Sequence, residues 1–223
     1  MSDVRILNKH FVNGFYFVVN PIGEILEAIH VHPHVITITG LVFSFVAGGL
    51  FWTGHFISGG IMIILSGACD VLDGRLARKT ARMSPFGALL DSTIDRYSEI
   101  AIYMGLAAYF NSIYVSSLII LAIAGSLMTS YVRARAEGLD IECKVGIMQR
   151  PERLVFLATA AILGPIADRI VGTKIDPTGI VIFDRIFESG HILMKIALLA
   201  IALLANITVI QRMLHVSKKL KLQ

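Results

Sequence analysis

The sequence predicts an all-α polytopic membrane protein, six transmembrane helices behind an N-terminal amphipathic helix that lies on the membrane surface. Three observations predict it. The 223 residues are 55% hydrophobic and only 16% charged, and the mean hydropathy of +0.73 is too apolar for an ordinary soluble domain. Six apolar stretches each approach the ~20 residues a helix needs to cross a bilayer. Lys and Arg collect in alternate loops, the asymmetry that orients membrane helices.

In chain order, residues 1–32 form the surface region. Arg5 and Lys9 alternate there with Phe11, Phe15 and Phe17, a mixture suited to the headgroup layer. No cleavable signal peptide is expected, because the apolar part lacks a small-residue cleavage site. The core, residues 33–212, is read as one domain with spans at Val35–Trp52, Ser58–Arg78, Gly87–Phe110, Ile113–Arg133, Leu154–Ile170 and Ile192–Ile210. The connections Thr53–Ile57 and Asn111–Ser112 hold no Lys or Arg, whereas the other side holds Arg75, Arg78, Lys79, Arg82, Arg133, Arg135, Lys144, Arg150, Arg153, Lys218, Lys219 and Lys221. The basic side is therefore expected in the cytoplasm, with both termini. The longer segment Val171–His191 falls outside and has no assigned role. Cys69 and Cys143 show no metal-ligand spacing and are expected to be reduced. No paired-histidine metal motif, repeat or linker is present.

Against this background four aspartates stand out. Asp70, Asp73, Asp91 and Asp95 fall within 26 residues flanked by apolar runs, and a carboxylate at membrane depth costs roughly 2.5–3.5 kcal/mol on insertion scales. Asp70 and Asp73 are three apart and Asp91 and Asp95 four apart, so each pair shares a face of its own helix. Ser84-Pro85 between them favours a break and a fresh helix start. Two helices meeting at a hairpin, each with two carboxylates, suit Mg²⁺ or Mn²⁺ held against phosphate. Gly74 lets a ligand approach the backbone, and Gly87 removes bulk one turn before Asp91.

The whole pattern is D-x2-D-G-x2-A-R-x8-G-x3-D-x3-D, with Asp70, Asp73, Gly74, Ala77, Arg78, Gly87, Asp91 and Asp95 at its fixed positions. It resembles the signature of the CDP-alcohol phosphotransferase family. The resemblance implies an integral-membrane transferase, a homodimer, whose donor is a CDP-linked lipid such as CDP-diacylglycerol or CDP-archaeol. An alcohol attacks the lipid-bearing phosphorus and CMP leaves. It implies that two Mg²⁺ or Mn²⁺ ions are held by Asp70, Asp73, Asp91 and Asp95, and that Asp95 also takes the acceptor proton as catalytic base. Asp70, Asp73, Gly74, Ala77, Arg78, Ser84 and Gly87 would form the CDP-lipid pocket. Pro33-His34 stands where many members carry Pro-Asn.

Downstream, the runs Ser130-Tyr131-Val132-Arg133-Ala134-Arg135-Ala136-Glu137 and Arg150-Pro151-Glu152-Arg153 resemble the phosphatidylinositol phosphate synthase subgroup, with Arg133 where Lys is usual. Ser130, Arg133, Arg153 and Arg212 sit at predicted span ends, where arginines can grip a phosphate bidentately. The expected acceptor is inositol 1-phosphate. Glycerol 3-phosphate also fits a phosphate pocket, and serine fits it less well. A membrane prenyltransferase would space its aspartate motifs far apart. An ion-coupled transporter would need polar residues deep in the spans, and Ile113–Leu127 and Ile192–Leu204 are nearly free of them. The bilayer is the expected surrounding, and no nucleic acid is expected as a partner.

Overall fold

A computed structural model describes residues 9–171, 180–187 and 190–221. All regular structure among them is helical: α1 (Lys9–Ala28), α2 (Pro33–Trp52), α3 (Phe56–Lys79), α4 (Pro85–Phe110), α5 (Ile113–Glu137), α6 (Arg150–Val171), α7 (Val181–Phe187) and α8 (Ile192–Leu220). Arg5, Lys174, Asp176 and Glu188 lie outside the described residues, as do the side chains of Lys9, Phe11 and Phe15. Four helices, α2, α3, α5 and α8, are long and apolar enough to cross a membrane. Helices α4 and α6 occupy the other two expected spans, but carry charges along their length. The segment between α6 and α8, expected to be a loop, contains a short helix, α7. The chain forms two compact units, one over residues 7–109 and one over residues 110–223.

In the N-terminal unit, α2 opens with His32 as cap, its Nδ1 accepting from His34 N at 3.3 Å, and with Pro33 at the first helical position. Gly54, at φ 80°, turns the chain back into α3. The two helices run antiparallel along a stripe of small residues. Thr37 meets Asp73, a Cβ on Gly40 would reach Cys69 Cβ at 3.0 Å, and Ser44 Oγ lies 2.8 Å from Ser66 Oγ. On the same stripe, Gly48 is pressed against the backbone of α4: a Cβ on Gly105 would collide with the Gly48 carbonyl. In lipid, where apolar surface alone drives little association, small residues allow this close backbone packing. Phe51, Phe56 and Tyr109 close the far end through ring contacts. Helix α1 packs on α3, with Val19 buried among Ile36, Cys69, Leu72 and Leu76, and exposes Phe17, Ile22 and Ile25.

In the C-terminal unit, α5 and α8 run parallel. Asn206 Nδ2 donates to Leu121 O at 3.1 Å, and one level on Arg212 Nη1 donates to Thr129 O at 2.6 Å. Gly125 makes this contact, since a Cβ there would lie 2.8 Å from Asn206 Nδ2. Helix α6 returns antiparallel along α8. At one end Met148 N donates to Thr208 Oγ1 at 3.0 Å. At the other, Asp168 Oδ2 accepts from His191 N at 2.9 Å, fixing His191 in a left-handed conformation at the start of α8. Burial pushes the His191 imidazole below its ordinary range. Lys195, fully buried, places its Nζ 5.5 Å from the Phe110 ring centroid.

Candidate active site

The N-terminal unit brings Asp70 of α3 together with Asp91 and Asp95 of α4. Carboxylate oxygens of all three lie within 4.8 Å of one another, and each residue is half-buried. Asp70 sits six residues before Leu76 in the packed length of α3, while Asp91 and Asp95 follow at i and i+4 on α4, so helix geometry alone aims the pair. Like charges at such a distance repel by roughly 3–4 kcal/mol per pair at an effective dielectric of 20. A divalent cation removes that repulsion, and three hard oxygen donors are the set Mg²⁺ or Mn²⁺ takes. The residues therefore fit a divalent metal.

Asp73 is placed differently. It is buried, and its Oδ2 accepts from Thr37 Oγ1 at 2.5 Å. Asp70 and Asp91 remain near enough to act on its charge. Thr37 was not singled out from the sequence. It lies one turn after Pro33 and also bonds Pro33 O at 3.2 Å, so its role appears only once α2 and α3 pair. Arg78 is exposed, and its guanidinium is what a Cβ at Gly74 would meet, at 3.4 Å. Ala77 is half-buried beside it. The neighbouring cations are committed elsewhere: Arg75 bonds the Asn20 side chain and lies 3.7 Å from Glu24, and Lys79 bonds Glu27 at 2.8 Å. They tie α3 to α1 and leave Arg78 as the basic side chain at the signature. Ser84 caps α4, its Oγ accepting from Gly87 N at 3.0 Å. A Cβ on Gly87 would meet Ser84 Oγ at 3.1 Å and His34 Cε1 at 3.2 Å. The glycine thus makes room for the cap and His34.

The C-terminal unit gathers the other predicted residues. Arg212, buried, donates from Nε to Val145 O at 2.8 Å and from Nη1 to Thr129 O. Arg153, buried, donates to Met148 O at 3.4 Å. Arg133 and Arg153 both lie close enough to Arg212 for their charges to repel. Arg133 is exposed and paired with Glu137 at 2.9 Å, a surface pair worth only about 0.5 kcal/mol and easily exchanged for a ligand. Ser130 is half-buried next to Thr129. Three guanidinium groups held together against their repulsion suit an anion such as phosphate. The loop from α5 to α6 builds this cluster. Gly146, at φ 133°, lies on α8 so closely that a Cβ would collide with Thr208 Cγ2. The sequence offered no signal for Gly146 or for the buried Gln149 amide. Glu152 of the Arg150-Pro151-Glu152-Arg153 run is also buried, a placement its sequence does not announce. Cys143 packs in this loop with Ala136 and Ile141, and burial pushes its thiol up, which keeps it protonated and unreactive.

Comparison with known proteins agrees with this geometry. The model of the family described as CDP-alcohol phosphatidyltransferase matches residues 30–216. The chain is 35% identical to an archaetidylinositol phosphate synthase of Methanothermobacter thermautotrophicus, over 96% of this chain and 98% of that one. It is 35% identical to a phosphatidylinositol phosphate synthase of Cutibacterium acnes, over 94% of this chain and 97% of that one. Among solved structures, it resembles the Mycobacterium tuberculosis phosphatidylinositol phosphate synthase with CDP-DAG bound, at a TM-score of 0.71 and 27% identity, covering 89% of this chain and 93% of that chain. The same enzyme in complex with manganese and citrate matches at a TM-score of 0.71 and 26% identity, covering 89% and 88%. With the eight signature residues in place and the matched region running through both units, the chain belongs to the CDP-alcohol phosphatidyltransferase family and is a phospholipid-synthesising enzyme of the membrane.

Proposed function

We propose that the chain transfers a phosphatidyl group from a CDP-linked lipid, CDP-diacylglycerol or CDP-archaeol, to inositol 1-phosphate, giving a phosphatidylinositol phosphate and CMP. The observation that carries this is the convergence of Asp70, Asp91 and Asp95 within the family signature. The names of the relatives, diacyl and ether alike, support the acceptor.

In the reaction the acceptor hydroxyl oxygen attacks the phosphorus bearing the lipid. A new P–O bond forms, the P–O bond to the CMP phosphate breaks, and CMP leaves with the bonding pair. Asp70, Asp73, Asp91 and Asp95 are the residues that would hold two Mg²⁺ or Mn²⁺ ions. When bound, such ions supply charge neutralisation for the pyrophosphate and the leaving oxygen. Thr37 holds the Asp73 carboxylate in one orientation. Asp95 receives the acceptor proton, and Arg78 with Gly74, Ala77, Ser84 and Gly87 lines the donor pocket. Ser130, Arg133, Arg153 and Arg212 take the acceptor phosphate.

The finer architecture belongs to the same reading. Residues 33–212 form one catalytic domain with six spans, α4 and α6 joining the four apolar helices. Helix α1 lies in the interface, consistent with its exposed Phe17, Ile22 and Ile25. The basic ends face the cytoplasm, and the enzyme is a homodimer. The test is CMP release by purified protein with CDP-diacylglycerol or CDP-archaeol, Mn²⁺ or Mg²⁺, and a panel of inositol 1-phosphate, glycerol 3-phosphate, free inositol and serine. Turnover with inositol 1-phosphate alone is expected. Preference for glycerol 3-phosphate would keep the phosphate cluster and overturn the inositol assignment. Equal use of free inositol or serine would overturn both.

A further inference from the structure

We infer that the buried start of α6 reads the hydroxyls of the acceptor, with the Glu152 carboxylate accepting hydrogen bonds from a polyol ring and the Gln149 amide donating to it. The inference rests on the assignment of the arginine cluster as the acceptor site.

Glu152 is only 3% exposed, and its Oε2 is buried without a hydrogen-bond partner. A buried carboxylate oxygen left unsatisfied is costly, and proteins rarely keep one without a use. A glutamate at the third position of a helix often folds back to cap the preceding backbone N–H. Here Oε2 makes no such bond. Three residues earlier, just before α6, Gln149 Nε2 is likewise buried and without a partner. The adjacent Met148 backbone is already engaged, its N–H donating to Thr208 and its carbonyl accepting from Arg153.

An acceptor-only carboxylate repels phosphate, so it does not serve the phosphate that the arginines beside it attract. It requires donors on the ligand. Two neighbouring hydroxyls can bond one carboxylate together, and a ring hydroxyl can also accept from the Gln149 amide. The arginines then select a phosphate, and Glu152 with Gln149 selects what carries it. A phosphorylated polyol fits both, and phosphate alone fits only the first.

The experiment uses the full-length enzyme in lipid nanodiscs. CMP release is followed with inositol 1-phosphate, a set of its monodeoxy analogues, glycerol 3-phosphate and serinol phosphate, and inorganic phosphate serves as a competitive inhibitor. In the unaltered enzyme, at least one monodeoxy analogue that keeps the reacting hydroxyl is expected to lose roughly ten- to a hundredfold in kcat/KM, the range for a hydrogen bond to a charged group. Glu152→Gln should lose a similar factor on inositol 1-phosphate and little further on that analogue. The KM for CDP-lipid and inhibition by phosphate should stay unchanged. Monodeoxy analogues that all match the parent would overturn the inference, and this measurement needs no variant to fold. So would Glu152→Gln weakening phosphate inhibition as much as it weakens inositol 1-phosphate, or a preference for serinol phosphate, which would assign the carboxylate to an ammonium. If the unaltered enzyme neither turns over inositol 1-phosphate nor is inhibited by phosphate, the acceptor site itself is misassigned. Failure of hydroxyl reading alone leaves both of those intact.

Discussion

Single side chains divide the work between the two sites. Asp91 and Asp95 both face Asp70, yet they are expected to fail differently when altered. Asp91→Asn removes charge from the carboxylate group and should abolish CMP release together with Mn²⁺ binding, while the protein still folds and purifies. Asp95→Asn should lose turnover far more than CDP-lipid binding, since a base is needed only for the step. Titration calorimetry against steady-state rates separates the two; equal losses for Asp95→Asn would leave it only a metal ligand. In the arginine cluster, Arg153→Gln should raise the KM for inositol 1-phosphate by roughly ten- to a hundredfold, about 1.5–3 kcal/mol, with the CDP-lipid KM nearly unchanged. Lys219→Gln is the silent control, because Lys219 is exposed at the end of α8. A loss of CDP-lipid affinity in Arg153→Gln would place that residue with the donor instead.

At the scale of elements, what the sequence displays depends on what enforces it. Metal chemistry fixes aspartate spacing along two helices, so Asp70, Asp91 and Asp95 were legible as a group. The helix starts at Pro33 and Pro85 were legible from proline itself. Thr37, Gly146 and Glu152 were not, because each acquires its role from a neighbour distant in sequence: Asp73, Thr208 and the arginine cluster. Helix α7 is too short for periodicity to reveal it. The small-residue stripe of α2 was hidden for another reason, since hydropathy does not register what a glycine permits. That stripe carries a prediction. Gly105→Ala would drive a Cβ into the Gly48 backbone and part α2 from α4. Overpacking of this kind costs about 1–3 kcal/mol, and it displaces the helix bearing Asp91 and Asp95. Thermal unfolding in detergent should show a lowered Tm, with weaker Mn²⁺ binding. Gly49→Ala, where a Cβ meets nothing within 4 Å, should match the unaltered protein. Equal stability of the two variants would mean that the α2–α4 contact is looser than drawn.

At the scale of the whole chain, the open question is how often it crosses the bilayer. Composition favours four crossings, by α2, α3, α5 and α8. Length favours six: at 1.5 Å per residue the 26 residues of α4 and the 22 of α6 reach about 39 and 33 Å, past the ~30 Å hydrocarbon core. Several of the charges that disqualify α4 and α6 by composition are ones the proposed chemistry would use. Asp91 and Asp95 lie in the first turns of α4, and Arg150, Glu152 and Arg153 open α6. Both sets fall in the N-terminal halves of their helices, the ends expected at the cytoplasmic face, and each helix taken whole is long enough to span. With six crossings, Ser112 between α4 and α5 and Lys218 near the end of α8 lie on opposite sides of the membrane. Cys69 and Cys143 are both buried, so an introduced thiol reports alone. In intact cells a membrane-impermeant maleimide should label Ser112→Cys and spare Lys218→Cys until the cells are opened. Labelling of Lys218→Cys in intact cells, with Ser112→Cys protected, would invert the orientation and put the carboxylates outside. Labelling of both in intact cells would require an even number of crossings among the helices between them, and the six-span arrangement would fall.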